Sequence, residues 1–243
     1  MASVSRRPYT RVASSRSAMP LPSIILADVR AVVFDAYGTL FDVHAAVARH
    51  AAAVGPDAAR LSEIWRSKQL EYSWVLSLME RYEPFWTLTR KALDHALARC
   101  PGVDRGVREK LLDAYLGLDA YPEVPGVLAS LRQRGLRPGI LSNGSPEMLA
   151  SAVAAAGLQE LLDAVLSVDA ARTFKTSPRT YALVTAAFGL LPDEVAFVSS
   201  NRWDIAGAAA FGFRCIWVNR SGLPDEYGGL PPAAVVTSLS ELI

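Results

Sequence analysis

A carboxylate stands at Asp35, directly after the apolar run Ala31-Val32-Val33-Phe34 and before Ala36-Tyr37-Gly38-Thr39-Leu40. Such a run reads as a buried strand, so Asp35 falls at its carboxyl end, the crevice in which open α/β sheets bind ligands. Gly38 lets the backbone that follows come close to a bound molecule. A carboxylate so placed can attack an electrophilic centre and form a covalent ester. The residue two positions on selects between chemistries. A second Asp there could protonate a departing oxygen, whereas Tyr37 does not give up its proton easily near neutral pH. Phosphate-ester cleavage is therefore disfavoured.

Three further segments fall at the carboxyl ends of predicted strands or in the loops just after them: Ser142-Asn143-Gly144, Lys175, and Ser199-Ser200-Asn201-Arg202-Trp203-Asp204. In a parallel sheet these loops converge. The elements that position them come from periodicity and turn signals. Helices are predicted over 126–134, 146–156, 178–187 and 203–210, alternating with strands over 138–142, 164–168, 195–199 and 213–218. That alternation means a parallel sheet with helices on both faces. The strands are short and apolar, as in Ala196-Phe197-Val198 and Cys215-Ile216-Trp217-Val218, which suits strands covered on both sides.

Between Leu40 and about Pro122 strand character disappears. Ser62 can cap a helix running through Trp65-Arg66 toward Met79, a second can follow Pro84 from Phe85 to Arg99, and a third covers Gly106 to Leu116. This insertion of about 80 residues is longer than the connections compact domains use, and it reads as a lid over Asp35. The expected architecture is a Rossmann-like α/β core over 24–41 and 121–243 with a helical cap over 42–120.

The chain has 243 residues, 51% of them hydrophobic, enough for one substantial core or a core plus a small accessory domain. The formal charge is +1, and the acid-free leader holds Arg6, Arg7, Arg11 and Arg16, so the rest carries about −3. Neither a nucleic-acid footprint nor a membrane-binding surface follows from that balance. Arg6-Arg7 invites a twin-arginine export reading, but the apolar stretch that should follow is broken by Pro20 and Pro22. Residues 1–23 are read as a disordered leader, or as an upstream extension with Met19 the true start, and the location as cytoplasmic. Cys100 and Cys215 lack metal-ligand spacing and read as reduced thiols.

Taken singly, these signals are weak. Arg66 lies beside Leu70 on the border of an apolar helix face, where a solvated Arg is ordinary, and Ser142-Asn143-Gly144 is a common turn composition. Their order along the chain, from about Val29 to the end, resembles the haloacid dehalogenase superfamily. Asp35-Ala36-Tyr37-Gly38-Thr39-Leu40-Phe41-Asp42 is similar to the first motif of its 2-haloacid dehalogenases acting on the L enantiomer. Trp65-Arg66, Lys68-Gln69-Leu70-Glu71-Tyr72 and Arg81-Tyr82 with Phe85 resemble that family's cap signature, and Ser199-Asn201-Trp203-Asp204 its last motif. Two positions depart from the pattern: Ser67, where a larger Gln is expected, and Thr176-Ser177, where a Pro-containing variant is common.

The resemblance implies Asp35 as nucleophile, Arg66 and Asn143 as holders of the departing halide, and Ser142 with nearby backbone amides as the seat of the substrate carboxylate. It implies supporting catalytic roles for Thr39, Lys175, Tyr181, Ser199, Asn201 and Asp204. Ala36, Tyr37, Leu70, Phe85 and Trp203 would bind or line the substrate. The implied partners are a small 2-haloacid and halide, with no nucleic acid and no membrane. The resemblance, together with the aromatic-rich inserted helices, points to a homodimer.

Halide leaves as an anion and needs hydrogen-bond donors rather than a proton, which an Arg and an Asn amide supply. A poor carboxylate nucleophile gains from enclosure, worth effective molarities on the order of 10⁵–10⁸ M. A Lys175 ammonium between Asp35 and Asp204 would separate like charges, and Asp204, oriented by Ser199 and Asn201, would activate the hydrolytic water. The last loop offers hydroxyls and an amide where a magnesium site would want carboxylates, so no metal and no organic cofactor are expected. Two rivals stay open: a magnesium-dependent phosphatase of the same superfamily, and a noncatalytic binding protein on the same fold.

Overall fold

The computed structural model describes residues 26–243, and the leader read over 1–23 lies outside them. The first strand, β1 (Ala31–Phe34), is buried along its whole length. The chain then builds five cap helices: α1 (Ala45–Arg49), α2 (Ala51–Val54), α3 (Ala58–Leu78), α4 (Phe85–Arg99) and α5 (Arg108–Leu116). It returns through α6 (Val124–Gln133), β2 (Arg137–Ser142), α7 (Pro146–Ala155), β3 (Ala164–Ser167), α8 (Pro178–Phe188) and β4 (Val195–Ser199). It finishes with α9 (Arg202–Phe211), β5 (Arg214–Val218) and β6 (Ala234–Val236).

The sheet is parallel throughout, in the order β3-β2-β1-β4-β5-β6. The chain winds from β1 out to β3 on one side and resumes at β4 on the other, which makes the end of β1 the switch point where such sheets bind ligands. Register brings the strand ends together: Phe34 is level with Ile140 of β2 and Val198 of β4. Two of the core helices carry clear boundary chemistry. Pro146 and Pro178 stand at the first turns of α7 and α8, where a missing N–H costs nothing, and Gly189 ends α8 in the left-handed conformation.

The cap leaves and rejoins the core at one place. Phe41 pairs with Ala120, and the Tyr121 amide donates to the Leu40 carbonyl at 2.9 Å. Within the cap, α3 packs on α4; Leu61 and Trp65 of the one and Leu88 and Ala92 of the other are buried, the larger ones each contributing about 1.5–3 kcal/mol of transfer free energy. On the far side Tyr82 donates to Asp169 of the core, and the Phe174 amide donates to Ser77 Oγ at 3.2 Å.

Several expectations need correction. The α3 helix starts at Ala58, four residues before Ser62, because the turn Gly55–Asp57 already sets helical backbone; Ser62 is buried inside it and bonds His44 Nδ1 at 2.7 Å. The third cap helix starts at Arg108, since Asp104 caps a separate tight turn at Arg105–Val107. Strand β6, the two short helices after His44, and their connections carry too few residues for periodicity to show. Cys100 and Cys215 are both buried and free. Among the described residues no helix is long and apolar enough to cross a membrane.

Candidate active site

Asp35 follows β1 and is still tied to the sheet, its amide donating to Val198 O at 2.9 Å. The chain then turns sharply, with the Thr39, Leu40 and Phe41 amides all directed at the Ala36 carbonyl. Gly38 makes this turn at φ +92°, a backbone conformation other residues rarely adopt. The turn brings Thr39 back onto Asp35, where its hydroxyl donates to Oδ2 at 3.1 Å. Asn201, after β4, donates its amide to the same oxygen at 2.8 Å. Lys175 Nζ donates to Asp35 Oδ1 at 3.0 Å and to Asp204 Oδ2 at 2.7 Å.

This carboxylate–ammonium–carboxylate cluster is almost wholly withdrawn from solvent: Asp35 is 5% exposed, Lys175 1% and Asp204 0%. Burial pulls the Lys175 ammonium down, and Asp204 and then Asp35 more than offset it, holding it above its ordinary value. The Asp204 carboxyl is pushed up to about 6, by burial first, with Lys175 opposing and Asp35 adding. Tyr181 donates to Asp204 Oδ1 at 2.8 Å, and burial followed by that carboxylate raises its own phenol well above the usual range.

Ser199 and Asn201, expected on the family resemblance to orient Asp204, are engaged elsewhere in the structure. Asp204 is gripped by Lys175 and Tyr181, while the Asn201 side chain is spent on Asp35 and the Ser199 hydroxyl accepts from the Asn201 amide at 3.1 Å. The reason is geometric: Asp204 lies in the first turn of α9, fully buried, with its two oxygens taken by Lys175 and Tyr181.

Around this centre the other candidates fall into place. Asn143 Oδ1 accepts from the Lys175 amide at 3.0 Å, which leaves its NH2 group as the free donor. The buried Ser142 hydroxyl accepts from the Gly144 amide at 3.1 Å. From the cap, Arg66 Nη2 reaches the Tyr37 carbonyl at 3.4 Å, with Leu70 half-buried one turn farther along α3. Phe85 is buried edge-on against Phe174, ring centres 5.9 Å apart. Ala36 and Tyr37 are buried, and the Tyr37 hydroxyl has no hydrogen-bond partner among the described residues. Trp203 is set edge-on against Trp74 at 5.5 Å, in a groove of about 1040 Å³ between the end of α3 and α9 that Lys175 also lines.

Ser200 is a residue that spacing did not single out. Its hydroxyl donates to Gly38 O at 2.7 Å and its amide to Thr39 Oγ1 at 2.9 Å, clamping the turn that carries Asp35. It sits within the last motif, so its neighbours were the available signal. Tyr115, stacked on Tyr37, carried none. Among the described residues no group of three His, Cys, Asp or Glu side chains gathers around a common point.

Comparison with known proteins places this geometry among characterised relatives. A family model described as haloacid dehalogenase-like hydrolase matches residues 29–212. The chain is 48% identical over 215 residues to (S)-2-haloacid dehalogenase 1 of Pseudomonas sp. (strain CBS-3), covering 88% of this chain and 95% of that protein. It is equally similar to (S)-2-haloacid dehalogenase 4A of Burkholderia cepacia, 48% over 215 residues, covering 88% and 93%. Among solved structures, an L-2-haloacid dehalogenase from Xanthobacter autotrophicus with chloropropionic acid covalently bound superimposes with a TM-score of 0.80 at 41% identity, covering 88% of this chain and 96% of that one.

Proposed function

We infer that this chain, which belongs to the haloacid dehalogenase-like hydrolases and is a hydrolase acting on carbon–halogen bonds, removes halogen from short L-2-haloalkanoic acids with inversion through an ester on Asp35. The observation that carries the reading is the pairing of Asp35 with three donors of different kinds at the sheet's switch point. The two Asp35 oxygens are not equivalent. Oδ2 accepts from Thr39 and Asn201, whereas Oδ1 accepts from Lys175 alone and keeps the freer lone pair.

In the first step Oδ1 bonds to the substrate's α-carbon from the side opposite the halogen, and halide departs with the bonding electron pair. Arg66 and the Asn143 NH2 group receive it, and Ser142 with neighbouring amides holds the substrate carboxylate. In the second step water adds to the Asp35 carbonyl carbon. The oxyanion then forms on Oδ2, where the Thr39 hydroxyl and Asn201 amide already point. Asp204 takes the water's proton through lone pairs not used by Lys175 and Tyr181. The bond between the Asp35 carboxyl carbon and Oδ1 breaks, Asp204 returns the proton to the departing oxygen, and the product hydroxyl keeps the oxygen that Asp35 contributed. Ser199, through the Asn201 backbone, keeps the last loop in shape. Phe85, Leu70, Tyr37, Ala36 and Trp203 supply apolar surface near the reacting carbon.

The direct test is chloride release from the two enantiomers of 2-chloropropionate with and without chelator, expected from the L form only and unchanged by chelation. Single turnover in heavy-oxygen water is expected to place the label in Asp35; label found wholly in the first product refutes the ester. The carboxyl-terminal turns of α3 expose Trp74, Val75, Leu78 and Met79, an apolar patch that supports a homodimer, and light scattering tests that assembly.

A further inference from the structure

Tyr115 is 1% exposed and touches three residues that flank Arg66: Tyr37, Trp65 and Gln69. Its ring stacks on Tyr37, centroids 5.6 Å apart and planes 13° off parallel, and Tyr37 offers Arg66 its carbonyl. The same ring tilts against Trp65 at 5.0 Å, the residue before Arg66 on α3. Its hydroxyl donates at 3.3 Å to Oε1 of Gln69, one turn after Arg66. Gln69 is itself fixed, its Nε2 donating to Thr89 Oγ1 at 3.0 Å, while Trp65 Nε1 donates to the Thr89 carbonyl at 2.9 Å.

An arginine reaching from a helix has many rotamers and loses that freedom when held in one. Its own bond to the Tyr37 carbonyl is long, at 3.4 Å. A donor stabilises a departing anion well only if it is already aimed when charge develops. The buried Thr89–Gln69–Tyr115 chain supplies that aim from outside the reacting centre, joining three cap helices to the loop that carries Asp35.

We infer that Tyr115 is a positioning residue that holds the Arg66 guanidinium in halide-receiving geometry between α3 and Tyr37. The inference rests on the reading above in which Arg66 receives the halide. Burial, with Arg66 opposing, keeps the Tyr115 phenol above its ordinary range, so it acts as a neutral donor at physiological pH.

The test uses Tyr115→Phe, which keeps the stacked ring and removes the hydroxyl. Chloride affinity is read without turnover, by ³⁵Cl NMR line broadening, beside halide release from L-2-chloro- and L-2-bromopropionate. The variant is expected to bind chloride about tenfold more weakly, because an Arg66 left free to sample rotamers must be ordered when the anion binds. Its kcat is expected to fall further for the chloride substrate, whose poorer leaving group leans harder on Arg66, with KM changed less. Gln69→Met, which removes the acceptor and leaves Tyr115 intact, is expected to reproduce both effects should Tyr115→Phe not fold. Unchanged chloride affinity, or an equal loss of kcat for both halogens, overturns the inference. A wild-type protein that binds chloride but dehalogenates nothing refutes the proposed function instead, and the chloride titration still decides the role of Tyr115.

Discussion

Replacing Lys175 with Met keeps the stem volume and removes the ammonium that lies 3.0 Å from Asp35 and 2.7 Å from Asp204. Two hydrogen bonds between charged groups are lost, each worth about 1.5–3 kcal/mol, and the cost of desolvating the ammonium is relieved. Removing one partner from a buried ion pair leaves a net loss of about 3–5 kcal/mol, or a melting point lower by about 10 °C for a chain of this size. The sign with pH follows from the shifts. Lys175 is held above its ordinary value, so its stabilisation is fully present below the unfolded lysine range and disappears as pH rises through the folded value. Asp204 is already raised to about 6, and without Lys175 it rises further, so the variant escapes repulsion by taking up a proton as pH falls. The deficit is therefore largest near neutral pH and shrinks toward about pH 5. Urea unfolding followed by tryptophan fluorescence measures it at both values. A double variant, Lys175→Met with Asp204→Asn, is expected to recover about half the loss, since one uncompensated charge is gone. Halide release should fall at least about 10²-fold. A deficit below about 1 kcal/mol at neutral pH, or one that is the same at about pH 5, refutes the charge-compensated cluster.

Three other predictions follow from particular contacts. A Cβ at Gly207 would lie 2.5 Å from the Tyr181 hydroxyl and 2.7 Å from Thr176 Cβ, so Gly207→Ala is expected to cost about 1–3 kcal/mol and to lower kcat by displacing Tyr181 from Asp204. Adding Tyr181→Phe to that variant should recover stability in thermal melts without recovering rate. Because ionised Asp204 is the proposed base, kcat is expected to fall as pH drops through about 6, and a profile flat from about pH 8 to 5 contradicts the assignment. Cys100 and Cys215 are 0% and 2% exposed, and burial raises both thiols, Cys215 to about 12; the native protein is expected to resist an aromatic disulfide reagent at neutral pH and to titrate two thiols once unfolded.

The alternation of strands and helices after Pro125 was legible because each core strand is a short apolar run bounded by turn residues, and the structure places those strands within a residue or two of expectation. The cap helices were legible as helices, and the one after Pro84 runs from Phe85 to Arg99 as expected, but two starts were not legible: at Ala58 and Arg108 the start is set by a preceding tight turn rather than by the nearest capping side chain. Asp35 and its companions could be picked out because strand ends impose order on loops that converge in space. Ser200 and Tyr115 could not, since their importance lies in what they touch.

From the residue pattern came the carboxylate at the end of the first strand, the converging loops and the inserted helices, while the lysine between two acids and the carbon–halogen chemistry came from the motifs' resemblance to a known family. Only the folded chain decided which donor serves which oxygen: Asn201 on Asp35, Tyr181 on Asp204, Gln69 on Tyr115. Periodicity and spacing report which face or loop a residue occupies. Hydrogen bonds are settled by directions and tenths of an ångström, and these arise only when distant segments have packed.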